Sequence, residues 1–554
     1  MLVELKAIRM RMGAERLFTW FLIRSAAAAG LIAVGKVIDQ IAQFQVFPQG
    51  PGLAAFAVLP GLVLCYRSVR ELITAGPGRL TESGPYHVLR HPMEVGAQLV
   101  LFGVALALAS PGSLLTSGPL ALFLWAGRVL LVEEPALRRR FGGSYEQYRK
   151  STGLVVPSMY VWSVWIVRAF YCLWCGVQIR GARQVPRNGP LFLVALHRCY
   201  MDPYIMSFAV ARKVHFIATA VLFRHSLASW YFGRMGCIPL VRSRADLRPL
   251  MTAFKTLDSG GVVGMFPEGA RSWYGETACE PAVFKVLEKR KVPIVTVEIS
   301  GAFEHHPRFS RRLRRRPIRA QYRVYAPGSQ PSRQLIEELV RSERLRDAWL
   351  RFLERPQPAC VAEQLVYVCP QCGVPFRCRG FDDGCLVCEA CAASFTLLEG
   401  KGLKLPQGVQ SLMELERRNV AWSTSFEPDG LAIPGVLVRR FTVKPSFDMQ
   451  SSRWLRKEDM HGLRPGSLRL HADRVTVENG EATDILYKEL DSVLVESNWK
   501  VEFSYRKKSG ERGYVLLVPP HRYPVFLQHF LRIRAFGNPY ARYRGSNRCE
   551  IRVP

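Results

Sequence analysis

Apolar positions in this chain gather first into long runs and later into short alternating ones. Residues 17–35 are apolar apart from Arg24; residues 52–65, 95–109 and 114–132 form three more runs, the last two split by Ser110-Pro111-Gly112. A helix crossing a hydrocarbon core needs about 20 such residues, so the pattern predicts about four membrane helices, some a little short. Arg24 and the runs after it argue against a cleaved signal peptide. Lys6, Arg9, Arg11 and Arg16 ahead of the first run favour a cytoplasmic N-terminus. Residues 158–178 are rich in Trp and Tyr and broken by Arg168, which fits an interfacial helix better than a fifth span. Short apolar strands then alternate with helical stretches: 191–196, 236–241, 262–266 and 292–295, with helices expected over 245–258 and 280–290. That alternation predicts an α/β sheet with functional loops at strand ends. Residues 401–460 are weakly periodic. From 467 a period of two sets in, punctuated by Asn479-Gly480 and Ser509-Gly510, and an amphipathic helix closes it at about 524–535.

At 554 residues the chain is too long for one ordinary domain. The pattern divides it into a helical membrane domain (1–155), an α/β domain (156–355), a cysteine-rich ribbon (365–400), a connecting region (401–460) and a β-rich domain (461–554). Hydrophobic residues at 49% and charged residues at 22% exclude wholesale disorder. Lys and Arg number 76 against 45 Asp and Glu, a net +31 that calls for an anionic partner such as a phosphorylated substrate or an anionic membrane surface. Arg308, Arg311, Arg312, Arg314, Arg315, Arg316 and Arg319 concentrate part of that charge. No nucleic-acid module accompanies it, so nucleic acid is not an expected partner.

Six of the fourteen cysteines fall between Cys369 and Cys391. Cys369-Pro370-Gln371-Cys372 and Cys388-Glu389-Ala390-Cys391 are two C-x2-C knuckles, and four thiolates so spaced suit tetrahedral Zn2+. Four protein ligands leave no position for water, so the expected role is structural. Cys385 competes with Cys391 for pairing with Cys388, and Cys378 is a spare thiol. The pattern resembles a zinc ribbon.

The strand 191–196 runs into His197, and Asp202 follows after four residues. A neutral imidazole can take the proton of an attacking hydroxyl, worth about 10²–10⁴-fold, and a carboxylate can fix its tautomer. Downstream come Gly236-Cys237-Ile238-Pro239-Leu240-Val241-Arg242, then Phe266-Pro267-Glu268-Gly269 with Arg271, then Val292-Pro293-Ile294. These four blocks in this order resemble the glycerolipid (lysophosphatidic acid-type) acyltransferases over about residues 175–310. The resemblance implies His197 as general base, Asp202 as its orienting partner, and Arg242, Glu268, Gly269 and Arg271 as residues that position the acceptor's phosphate or glycerol. It also implies an acyl-CoA or acyl-carrier protein as donor and a phospholipid-type acceptor, a lysophospholipid or glycerol phosphate. Arg suits phosphate because its planar fork binds bidentately, whereas Glu268 is expected to orient an Arg or a hydroxyl. Leu196 and Cys199 stand where the family often has Asn and Ser.

In the first third, Gly84-Pro85-Tyr86, Arg90-His91-Pro92, Glu133-Glu134, Phe141-Gly142 and Tyr145-Glu146-Gln147-Tyr148 flank one apolar hairpin. Ionisable groups at one membrane face are a site by default. The order resembles the isoprenylcysteine carboxyl methyltransferase and phospholipid methyltransferase group over about residues 50–150. That resemblance implies S-adenosylmethionine held by Arg90, His91, Pro92, Glu133 and Glu134, with Glu94 standing where the family usually has Tyr. The closing strands and helix look like a pleckstrin-homology-like domain. The expectation is a membrane-bound O-acyltransferase with its catalytic domains on the cytoplasmic side; the alternatives are a bifunctional enzyme that also methylates, and a non-catalytic membrane scaffold.

Overall fold

The computed structural model describes residues 14–43, 50–75, 80–154, 156–223, 225–240, 247–275, 277–279, 281–308, 313–329, 331–350, 363–381, 383–398, 402–441, 447–448, 453–454, 463–496, 499–520, 522–542, 544 and 549–550. Arg242, Arg311, Arg312 and the basic residues before Ala14 lie outside the described residues.

Each apolar run of the first third forms a helix: α1 (Ala14–Ala42), α2 (Gly50–Ala75), α3 (Pro92–Ala107) and α4 (Pro111–Phe141). Among the described residues, α4 is the helix long and apolar enough to cross a membrane. Small residues let these helices touch backbone to backbone. A Cβ added to Gly96 of α3 would lie 2.7 Å from Cys65 Sγ and 2.8 Å from the Gly61 carbonyl oxygen of α2. Asp39 of α1 accepts from the Gly112 N–H at 2.6 Å and from the Ser110 hydroxyl. Its carboxylate therefore sits where the helix dipole of α4 favours negative charge.

α5 (Met159–Cys175) joins this part to a mixed sheet. It lays Tyr160, Val161, Val164 and Tyr171 on the sheet and leaves Trp165, Ile166, Phe170 and Leu173 exposed. The sheet runs β1 (Gln178–Arg180), β7 (Arg319–Tyr325), β6 (Ile294–Ser300), β2 (Leu191–Val194), β5 (Val262–Met265), β3 (Val214–Thr219), β4 (Ile238–Leu240). All neighbours are parallel except β6 and β7. Its central strands β2 and β5 are buried at every residue, as parallel strands covered on both faces must be. The second face is covered by apolar residues from the helices Arg248–Asp258, Pro281–Lys289 and Ser332–Leu350.

The cysteine region forms a five-stranded antiparallel sheet from Cys378 to Gln410. A second antiparallel sheet follows, ordered 481–486, 474–479, 464–470, 431–441, 512–518, 500–506, 490–496, with the helix Pro524–Phe536 packed on it. Its strand Leu431–Phe441 comes from the stretch read as a connection. Pro434-Gly435 shifts the register between Ile433 and Val436, which breaks the period of two that would have revealed it. The ribbon, this sheet and its helix share one core, and Trp273 and Tyr274 from the loop after β5 are buried in it.

Candidate active site and metal centre

Parallel pairing sets the geometry of the central site. Val194 is opposite Met265, so β2 and β5 end at one level, and His197 and Glu268 each lie three residues further on. Loops beyond the carboxyl ends of adjacent parallel strands are where α/β sheets place ligands. His197 Nδ1 is 3.0 Å from Asp202 Oδ2. Asp202 is fully buried, and His197 keeps 19% of its side chain exposed. The same carboxylate oxygen accepts from the Arg198 and Cys199 N–H groups at 2.7 and 2.8 Å, and Cys199 Sγ–H donates to Oδ1 at 3.0 Å. Asp202 is thus fixed by two backbone N–H groups and a thiol, in the place where a carboxylate can set the tautomer of His197. Phe266 stacks on the imidazole, centroids 4.1 Å apart, and fixes the ring plane.

Glu268 faces inward. Its carboxylate accepts from the His197 N–H at 3.2 Å and lies 3.6 Å from Arg198 Nη1. Arg198 also donates to Ser272 Oγ at 3.2 Å and Thr277 Oγ1 at 2.9 Å. Gly269 turns the loop at φ +60°, a conformation that a side chain resists, and its N–H donates to the Phe266 carbonyl. Arg271 lies over the Tyr200 ring at 3.4 Å. The structure therefore brings His197, Asp202, Glu268, Gly269 and Arg271 to one end of the sheet. Arg198, Cys199 and Phe266 belong with them. Sequence reasoning quoted Cys199 and Phe266 within their motifs without giving them a part in the site and missed Arg198, which only its adjacency to His197 could have marked. Arg308 is not a surface residue: it is buried over Trp273 at 4.0 Å and donates to the Arg271 and Val495 carbonyls.

At the first third's site, the hairpin of α3 and α4 closes as its topology demands. Pro92 opens α3 at the helix position that needs no N–H donor. Arg90 meets Glu134 at 2.5 Å, and His91 Nδ1 lies 3.2 Å from Glu133. The helix widens to i→i+5 turns over Val129–Glu133, a distortion that often marks functional positions. Glu94 pairs with Arg128 at 3.2 Å, and the same guanidinium reaches Glu133. Among the described residues, buried Arg90 Nε, His91 Nε2 and Tyr145 Oη have no hydrogen-bond partner. Donors and carboxylates of both signs, some unsatisfied, suit a zwitterionic ligand with an added positive centre.

The four knuckle sulfurs lie within 4.8 Å of one another, with Cys369–Cys391 at 3.9 Å and Cys372–Cys388 at 3.8 Å. Zn–S bonds of about 2.3 Å in a tetrahedron require S···S edges of about 3.8 Å, so the cluster fits a metal ion of that kind. Cys385 stands outside the cluster.

Residues 176–300 match the family model described as Acyltransferase. The chain carries an acyltransferase domain. Residues 67–144 match the model for Phospholipid methyltransferase, so a domain of that family precedes it. Over 127 residues the chain is 20% identical to the 1-acyl-sn-glycerol-3-phosphate acyltransferase of Bacillus subtilis (strain 168), covering 23% of this chain and 63% of that protein. It therefore spans less than two thirds of that curated relative's length. The solved 1-acyl-sn-glycerophosphate (LPA) acyltransferase of Thermotoga maritima is 22% identical at a TM-score of 0.32, over 42% of this chain and 93% of that one.

Proposed function

We propose that the acyltransferase domain moves an acyl chain from an acyl thioester, acyl-CoA or acyl-carrier protein, to the hydroxyl of a lysophospholipid or glycerol-phosphate-like acceptor. The observation that carries this reading is the His197–Asp202 pair at 3.0 Å at the carboxyl end of β2. With Nδ1 engaged by Asp202, Nε2 is the nitrogen that takes the acceptor's proton as its oxygen attacks the thioester carbonyl. The C–O ester bond forms, the C–S bond breaks, and the proton passes from the imidazolium to the departing thiolate. Arg271, with Arg242, would hold the acceptor's phosphate, and Gly269 would supply the turn that positions this loop for the acceptor. Glu268 keeps Arg198 and the His197 backbone in place. Acyl transfer by the purified protein, lost in His197→Ala, tests the reading.

The protein works, in this account, at the cytoplasmic face of a membrane that the first third enters. The exposed apolar side of α5 would lie in the interface, and Arg315 and Arg319, both exposed, would meet anionic headgroups. The knuckle cysteines hold one structural Zn2+. The antiparallel C-terminal sheet and its helix are read as pleckstrin-homology-like.

A second reading is favoured by the unsatisfied donors around Arg90 and His91. Arg90, His91, Glu133 and Glu134 would bind S-adenosylmethionine beside Pro92, and the protein would be bifunctional. The cofactor would supply an electrophilic methyl group. The chain's own part is to seat the carboxylate on Arg90 or His91 and the positive groups on Glu133 or Glu134. Calorimetry with S-adenosylhomocysteine on the full chain in detergent should show binding. An absence of binding would reduce this domain to an anchor.

A further inference from the structure

The loop that carries Glu268 is gripped from outside its own domain. Arg542, in the tail after the helix Pro524–Phe536, donates from Nη2 to the Glu268 carbonyl at 2.9 Å and from Nη1 to the Gly269 carbonyl at 3.2 Å. The backbone of Arg542 is itself pinned to the C-terminal sheet. The Val493 N–H donates to its carbonyl at 2.9 Å, and the Arg544 N–H donates to the Asp491 carbonyl at 2.8 Å. The same loop is tied at further points. Arg308 bridges the Arg271 and Val495 carbonyls, Trp273 and Tyr274 sit in the C-terminal core, and Ala278–Cys279 pairs with Cys549–Glu550 as an antiparallel ribbon.

We propose that Arg542 is a positioning residue for acyl transfer, and that the C-terminal domain is a built-in brace of the acyltransferase site. The inference rests on the acyl-transfer reading above. The chain of contacts is short: the Arg542 guanidinium fixes the Glu268 backbone, the Glu268 carboxylate accepts from the His197 N–H, and Phe266 at the start of the same loop stacks on the imidazole. A planar fork suits the task, because two adjacent carbonyls need two donors in one plane. A lone acyltransferase fold would have to hold this loop by other means. Here the brace makes the loop's geometry depend on the state of the ribbon and sheet behind it.

The test compares wild type with Arg542→Ala and Arg542→Lys in detergent, with melting temperature and zinc content as folding controls. Misplacing a catalytic group by an ångström costs up to about 10²-fold. Arg542→Ala should therefore lower kcat by at least about tenfold while leaving the donor's KM nearly unchanged. Arg542→Lys should recover part of the loss, and added guanidinium should restore activity to Arg542→Ala. A readout free of turnover is the rate at which diethyl pyrocarbonate modifies His197, which should rise once the loop loosens. If Arg542→Ala does not fold, Arg542→Lys alone is read, with an expected loss of several-fold and faster modification. Wild-type rates of both turnover and modification in a folded variant would overturn the brace. An inactive wild type whose modification rate still responds to Arg542 would instead overturn the acyl-transfer reading and leave the brace standing.

Discussion

The central residues act through buried polar groups that leave little tolerance. Arg198 and Glu268 are both nearly fully buried, and removing one partner of such a pair strands the other's charge at a cost of about 3 kcal/mol or more. Glu268→Ala is therefore expected to lower stability as well as activity, and chemical denaturation should show the lower midpoint. Cys199 explains its own departure from the family's common Ser. A thiol on Asp202 Oδ1 does the hydroxyl's job as a weaker donor. Cys199→Ser should thus retain activity within a few-fold in an initial-rate assay, whereas Cys199→Val should cost more because it leaves that oxygen without its donor. The pairing of His197 with Asp202 was legible in the sequence, because the ordered blocks downstream singled out a base with a carboxylate five positions on. The roles of Arg198, Arg308 and Arg542 were not. Their partners lie far along the chain, and nothing in a basic side chain's neighbours tells a buried clamp from a surface charge.

At the scale of elements, sequence reading succeeded where the period was regular and failed where a turn disrupted it. The four apolar runs are all helical, with Pro111–Phe141 the one long and apolar enough among the described residues to cross a membrane, and the buried strands of the α/β sheet and the two knuckles stand where their patterns put them. Strand Leu431–Phe441 was lost to its Pro-Gly bulge. The ribbon and the C-terminal sheet share one core, so the metal should support both. Elemental analysis should give one zinc per chain, and chelation should lower the melting temperature of the whole C-terminal half. A Cys391→Ser protein that keeps its zinc while Cys385→Ser loses it would redraw the ligand set. His529 adds an acid limit to the same core. Burial, then the nearby Arg532, pushes it down to about 3 from an ordinary 6.5, and its ring is hydrogen-bonded to Tyr367 and stacked on Tyr274. Below about pH 6.5 the unfolded chain binds a proton that the folded chain does not, so stability falls as pH drops from there toward 3. Melting temperatures at pH 7 and pH 5 should differ in this direction, and His529→Gln should shrink the difference.

The whole molecule joins two lipid-modifying families in one chain, a phospholipid methyltransferase domain over 67–144 and an acyltransferase domain over 176–300, with a ribbon and a β sheet packed behind the second. The exposed apolar face of α5 and the apolar length of α4 are what the proposed setting rests on, acyl transfer to a lipid hydroxyl beside a bilayer. The central claim is that His197 is the base of an acyl transfer. The direct measurement is the purified full chain in nanodiscs with labelled acyl-CoA or acyl-carrier protein and a lysophospholipid acceptor, product read by mass spectrometry, wild type against His197→Ala. The account predicts ester formation by the wild type and a loss of about 10²-fold or more in a correctly folded His197→Ala protein. Equal rates in the two proteins would contradict it.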